Sequence, residues 1–181
     1  MKLRKIILTA LMLALLIGTQ LVTRSLGQFV TGSLVNLILL VSVFTVGLGG
    51  GLVVAVASNV LAFLAGIGPA LPQVVPFVAV ANAILVSVAH LARRQIGEKG
   101  VKSTLLAASG LIAAAAAKTL FLWVGLVLIA LPLIPGLKEP QAAMLGAAFS
   151  WPQLVTALSG GTFALIIMPP LKKTMKAFER E

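Results

Sequence analysis

The chain has 181 residues, of which 60% are hydrophobic and only 10% charged, and its mean hydropathy is +1.13. A soluble domain carries about 25% charged residues, so this chain has too little charge to cover a water-facing surface and takes lipid as its solvent. The 14 Lys and Arg against 4 Asp and Glu give a net charge of +10, but the basic residues stand mainly at the ends of apolar runs, where they anchor to headgroups rather than to nucleic acid; the lack of cysteine excludes a disulfide framework, a thiolate metal site and a cysteine nucleophile.

The first apolar run covers residues 6–22, behind Lys2, Arg4 and Lys5. No clear small-x-small cleavage site precedes Arg24 and further apolar segments follow, so the run reads as a retained first helix rather than a signal peptide. Within it Ala10 and Ala14 stand four apart, share a helix face and allow close helix approach. Arg24, Gln28 and Thr31 form a polar first connection. Runs two and three, 33–47 and 51–66, are short and joined by Gly47-Leu48-Gly49-Gly50-Gly51. They form a tight helical hairpin, or extend past these bounds, or fail to cross fully, or make one broken helix, since glycine is tolerated in membrane helices. Asn36 and Asn59 lie in these two runs, and interhelical hydrogen bonding is the ordinary explanation for such amides.

A Gly- and Pro-rich loop from Gly66 to Gln73 leads to the fourth run, 75–92, which holds Asn82 and ends at His90, Arg93 and Arg94. Gln73 and Asn82 lie nearer the outer opening and are candidates for ligand contact. The fifth run, 103–131, holds Lys118 near its middle and Trp123 beyond it. A charge at the bilayer centre costs about 2.5–3.5 kcal/mol on insertion scales. The four acids are Glu98, Glu139, Glu179 and Glu181, all in loops or the tail, so Lys118 has no anionic partner of its own. It snorkels to an interface, or loses its charge on burial, or faces a wet cavity and meets an anionic ligand. The sixth run, 143–169, includes Phe149-Ser150-Trp151-Pro152-Gln153 and then Thr156. Pro152 removes a backbone donor, so a helix bend is expected there, flanked by Trp151 and Gln153; an interfacial tryptophan belt is the alternative. The candidate substrate-binding residues are therefore Lys118, Asn82, Gln73, Trp123, Trp151, Gln153 and Asn36.

Each continuous run is far longer than the alternating strands of a membrane barrel, and a lipid-embedded backbone must satisfy its own hydrogen bonds. The expected fold is an all-α bundle of six transmembrane helices, a single integral membrane domain over residues 1–181. Six spans put both termini on one side with Lys2, Arg4, Lys5, Arg93, Arg94, Lys99, Lys102, Lys172, Lys173, Lys176 and Arg180; the other side keeps Arg24 and Lys138. The positive side is cytoplasmic, so both termini are expected there. An enzyme is disfavoured: no paired carboxylate, metal cluster or nucleophile–base pair falls within a span, and a lone histidine makes no metal site. No Gly-x-x-x-x-Gly-Lys-Ser/Thr phosphate loop occurs. No cofactor is implied.

The whole arrangement resembles the substrate-binding S component of an energy-coupling factor (ECF) transporter, a bacterial vitamin importer. The likeness rests on the basic start with Arg4-Lys5-Ile6-Ile7-Leu8-Thr9-Ala10 and the Ala10/Ala14 pair, on Phe29-Val30-Thr31-Gly32-Ser33-Leu34-Val35-Asn36, on the Gly-rich hairpin into Val56-Ala57-Ser58-Asn59, on the Gly-Pro loop before Pro76-Phe77, on Asn82, and on Phe149-Ser150-Trp151-Pro152-Gln153. It covers almost the whole chain. The resemblance implies a multi-pass protein of a bacterial-type plasma membrane that binds a vitamin or related micronutrient near the outer surface. It also implies partners: a membrane coupling subunit, contacted through Ala10 and Ala14, and two cytoplasmic ATPase subunits. A stand-alone small transporter or channel is the alternative, and a ligand-free structural subunit is a third.

Overall fold

The computed structural model describes residues 2–69, 71–98 and 100–178. Lys99 and Arg180, counted above on the basic side, lie outside the described residues, as do the acids Glu179 and Glu181; nothing is described of the side chains of Lys2 and Lys176. Among the described residues every regular element is helical: α1 (Lys2–Thr23), α2 (Gln28–Val46), α3 (Leu48–Leu64), α4 (Val75–Leu91), α5 (Val101–Phe121), α6 (Glu139–Ala148) and α7 (Trp151–Phe178). Five helical segments are long and apolar enough to cross a membrane, and α3, at 17 residues, is a shorter apolar helix.

The two short glycine-joined runs are separate helices that pack on each other. Gly47 turns the chain between them with φ +97°, a backbone conformation that costs a side chain dearly and glycine little. The fifth run does not stop at the end of α5; it continues as a π-helical stretch, Leu122–Ala130, then a short 3-10 turn, Leu131–Leu133. At the change of winding the Leu122 N–H meets the carbonyls of both Lys118 and Thr119.

The sixth run departs from expectation. It is two helices, α6 and α7, with a break at Phe149 and Ser150. Pro152 does not kink a continuous helix; it stands in the first turn of α7, where its missing N–H would have had no partner anyway. Pro169 and Pro170 are the prolines inside α7.

The main core is built around α2, whose Leu39, Leu40, Val43 and Phe44 are buried against Leu85 and Val86 of α4, Leu111 and Ala115 of α5, and Ala157, Ala164 and Met168 of α7. A second, smaller cluster joins Val74, Ala81, Leu122, Leu126, Leu131 and Leu145 beneath the α6 region. By contrast α1 is largely exposed along Leu3, Ile6, Ile7, Leu11 and Leu15. Helices α2 and α7 cross in close contact. A Cβ on Gly160 would lie 2.7 Å from Asn36 Cβ and 2.8 Å from both the Leu37 nitrogen and the Ser33 carbonyl oxygen. Only glycine lets these two backbones approach so closely.

Gly160→Ala is therefore expected to overpack the α2–α7 crossing and cost about 1–3 kcal/mol, read as a lowered unfolding midpoint in detergent. Gly146→Ala is the control, because its Cβ would meet Val127 Cγ1 at an ordinary 3.6 Å. Equal midpoints for the two variants would contradict the close-approach argument.

Candidate functional site

The end of α1, the start of α2, the end of α3, the start of α4, the far part of α5 and the α6–α7 break all meet at one end of the bundle. There they enclose a cavity of about 320 Å³. Its polar lining includes Arg24, Gln28, Asn36, Asn82, Lys118 and Gln153. Val35, Ala62, Ile67 and Val78 supply apolar wall, and Phe149 is the one aromatic residue among those that line it.

Lys118 is the chemical centre. From Val101, at the start of α5, to Lys118 is about 25 Å along the helix at ~1.5 Å per residue, so the lysine stands at the cavity end of α5. It does not snorkel: the side chain is only 3% exposed. The Nζ donates to Asn36 Oδ1 at 2.6 Å. Asn36 Nδ2 donates in turn to Thr156 Oγ1 at 3.3 Å, and the Thr156 hydroxyl donates to the Gln153 carbonyl at 3.1 Å. One chain of bonds thus ties α5, α2 and α7 together across the cavity floor. An ammonium has three donors, so the bond to Asn36 leaves Lys118 with capacity for a ligand.

A second polar group comes from α3 and α4. Asn59 Nδ2 donates to the Ala55 carbonyl at 2.6 Å, and Asn59 Oδ1 accepts from Asn82 Nδ2 at 3.4 Å. Asn82 Oδ1 is buried and has no hydrogen-bond partner among the described residues. At the rim, Gln28 Nε2 donates to the Ala148 carbonyl, which links the start of α2 to the end of α6; Gln153 Nε2 donates to the same carbonyl at 3.2 Å. Thr31 Oγ1 donates to the Thr23 carbonyl at 2.7 Å, which fastens the first connection. Arg24, Gln28 and Thr31 are thus on the cavity wall.

Of the seven candidates from sequence, Lys118, Asn82, Gln153 and Asn36 converge on the cavity. Gln73, Trp123 and Trp151 do not, and each has a physical reason. Residues that share a helix face stand three or four apart; the i+4 neighbour of Lys118 is the fully buried Leu122, while Trp123 is one position further round and 46% exposed. Trp151 lies on the outer side of the first turn of α7, 64% exposed, its ring 5.7 Å from that of Phe29. Gln73 is exposed in the 3-10 turn Pro72–Val74, where Val74 takes the buried position. Thr156, not among the seven candidates, completes the hydrogen-bond chain from Lys118; its signal is the four-residue spacing from Pro152, which puts both on the buried side of α7. Ala10 and Ala14 lie far from this cavity, exposed on α1.

The basic residues gather at the opposite end. Arg93 Nε donates to the Phe44 carbonyl at 3.2 Å, and Lys172 Nζ donates to the Arg93 carbonyl at 3.1 Å and to the Ile96 carbonyl. These bonds join the ends of α2, α4 and α7 to the turn before α5.

The Lys118–Asn36 bond predicts an order of stabilities. Asn36→Leu strands a buried ammonium and is expected to cost about 3–5 kcal/mol. Lys118→Met strands only a neutral amide oxygen, at about 1–3 kcal/mol. Chemical denaturation of the two variants checks the order, and a Lys118→Met protein that is the less stable of the pair would contradict it.

Comparison with known proteins gives the family. The family model for the ECF transporter substrate-specific component matches residues 4–172. No curated protein and no solved structure gives a match. The matched span runs from the first turn of α1 into the last turns of α7 and takes in every residue that lines the cavity, and the chain belongs to the family of substrate-specific components of ECF transporters.

Proposed function

We propose that this chain captures a small anionic micronutrient at the outer face of a bacterial-type plasma membrane and presents it to a membrane coupling subunit with two cytoplasmic ATPase subunits, which power uptake. The observation that carries this reading is a buried lysine with spare donor capacity on the wall of a cavity that no acidic side chain lines. Intramembrane charges mark solute pathways and counter-ions far more often than packing. Family membership supports the division of labour, as does the lack of any phosphate loop in the sequence.

Orientation follows from charge. Arg4, Lys5, Arg93, Arg94, Lys102, Lys172 and Lys173 stand at one end of the helices, with Arg24 and Lys138 at the cavity end. The positive-inside rule assigns the crowded end to the cytoplasm, so the cavity opens outward and both termini are cytoplasmic. That arrangement requires α3 to cross as the sixth span. Its 17 residues sit at the short limit of the roughly 17–25 that span a bilayer.

Ala10 and Ala14 are the proposed contact with the coupling subunit, because both are exposed on the outermost helix and small enough for a second helix to approach closely. Ala14→Trp is expected to reduce co-purification of the coupling subunit several-fold while ligand-induced stabilisation is kept; unchanged co-purification would remove this face from the interface. Lys118→Ala is expected to weaken an anionic ligand about tenfold or more, from the loss of a charge-assisted hydrogen bond, and equal affinity in a calorimetric titration would take Lys118 out of the site. Uptake into liposomes by this chain alone would favour a stand-alone transporter instead.

A further inference from the structure

We infer that the ligand is a compact, non-planar organic anion that also carries an O–H or N–H donor, with its anionic group on Lys118 and its donor on Asn82 Oδ1. This deepens the proposed capture role and rests on the cavity being the ligand site.

The polar groups set the charge pattern. Lys118 presents positive charge from the floor, Arg24 adds a second positive charge on the wall, and Glu and Asp are absent from the lining. A cationic solute would meet two like charges and no counter-charge, which is costly where water is scarce. Asn36 accepts from Lys118 and donates one of its two amide N–H groups to Thr156, so it supports the lysine from behind.

Asn82 adds the second requirement. Its orientation is fixed from behind: Asn59 is held by the Ala55 carbonyl, and its Oδ1 takes the Asn82 amide N–H. That turns Asn82 Oδ1 into an acceptor with a set direction, 2% exposed as a residue and without a donor among the described residues. A buried acceptor left unpaired is expensive, and a ligand group that supplies the missing donor recovers that cost. A plain fatty or aliphatic acid would satisfy Lys118 and leave Asn82 unpaired.

Size and wall chemistry disfavour flat vitamins. About 320 Å³ is at the lower end of the roughly 300–1,000 Å³ of small-molecule sites. Stacking a fused ring needs aromatic faces on its flanks, and this cavity has only Phe149, while both tryptophans face away. Val35, Ala62, Ile67 and Val78 suit a branched or saturated skeleton.

The test uses the full chain purified in detergent, with thermal shift and calorimetry on a fixed set of probes. Pantothenate, mevalonate and biotin are donor-bearing carboxylates; panthenol is the pantothenate skeleton with an alcohol in place of the carboxylate; thiamin is a cation; riboflavin and folate are planar fused rings. At least one of the three carboxylates is expected to bind. Asn82→Leu is expected to weaken that probe about tenfold, and the esterified or alcohol form of the same probe is expected to bind at least as weakly. The comparison of acid with neutral form needs no protein variant, so a poorly folded Asn82→Leu would not blunt it. If thiamin, riboflavin or folate is the probe that binds, the ligand class is wrong while the capture role stands. If the neutral form binds as tightly as the acid, or Asn82→Leu folds and binds normally, the two-point recognition is wrong. If no probe binds, the inference falls, and co-purification of the coupling subunit decides whether the capture role falls with it.

Discussion

A lysine buried in a bundle that has lipid as its solvent must be held by something, and here three helices converge to hold it. Lys118 on α5 reaches Asn36 on α2, and Asn36 reaches Thr156 on α7. The geometry depends on how closely α2 and α7 lie, which in turn depends on Gly160, where no side chain fits. The same packing that satisfies the ammonium therefore fixes the cavity floor. Close backbone approach is the usual way helices gain contact in lipid, where no hydrophobic force draws them together. In this chain that packing device and the hydrogen bonds that hold Lys118 occupy the same few residues.

The two ends of the bundle use positive charge in different ways. At the basic end Arg93 and Lys172 are spent on backbone carbonyls of Phe44, Arg93 and Ile96, where they complete helix ends and turns. Carbonyls at a helix C-terminus carry partial negative charge and lack intrahelical donors, so cations there are structural. At the cavity end there are few cations, and Lys118 has its single hydrogen bond to a neutral amide. A cation satisfied by carbonyls has little left for a solute; one held by a single amide has much.

Much of this was readable in the sequence. Composition alone required lipid as solvent, and the positions of the apolar runs located α1, α3 and α4 to within a few residues, while α2 starts at Gln28, ahead of its run, and the fifth run takes in both α5 and the π-helical stretch Leu122–Ala130. Lys118 stood out because a lone charge in an apolar run has few explanations. Three features were not readable. The break between α6 and α7 falls inside one apolar run, and Pro152, which suggests a kink from sequence, turns out to be tolerated in a first turn. The tryptophans drew attention by their chemistry, but their facing is set by angular position: Trp123 is one residue past the buried face, and Trp151 precedes it. The unpaired oxygen of Asn82 depends on which way Asn59 donates, a property of hydrogen-bond direction that residue spacing does not encode.

The distribution of the polar groups also bears on the proposed division of labour between this chain and its partners. Its contacts come from α2, α3, α4, α5 and α7 at once. A ligand that satisfies Lys118 and Asn82 together would stabilise this arrangement of the five helices by mass action, and release would then reverse that gain. The sequence has no nucleotide loop, and its acids lie outside the apolar runs, where they cannot relay protons through the bundle. In the proposed capture role, that reversal falls to a partner subunit that favours the empty state.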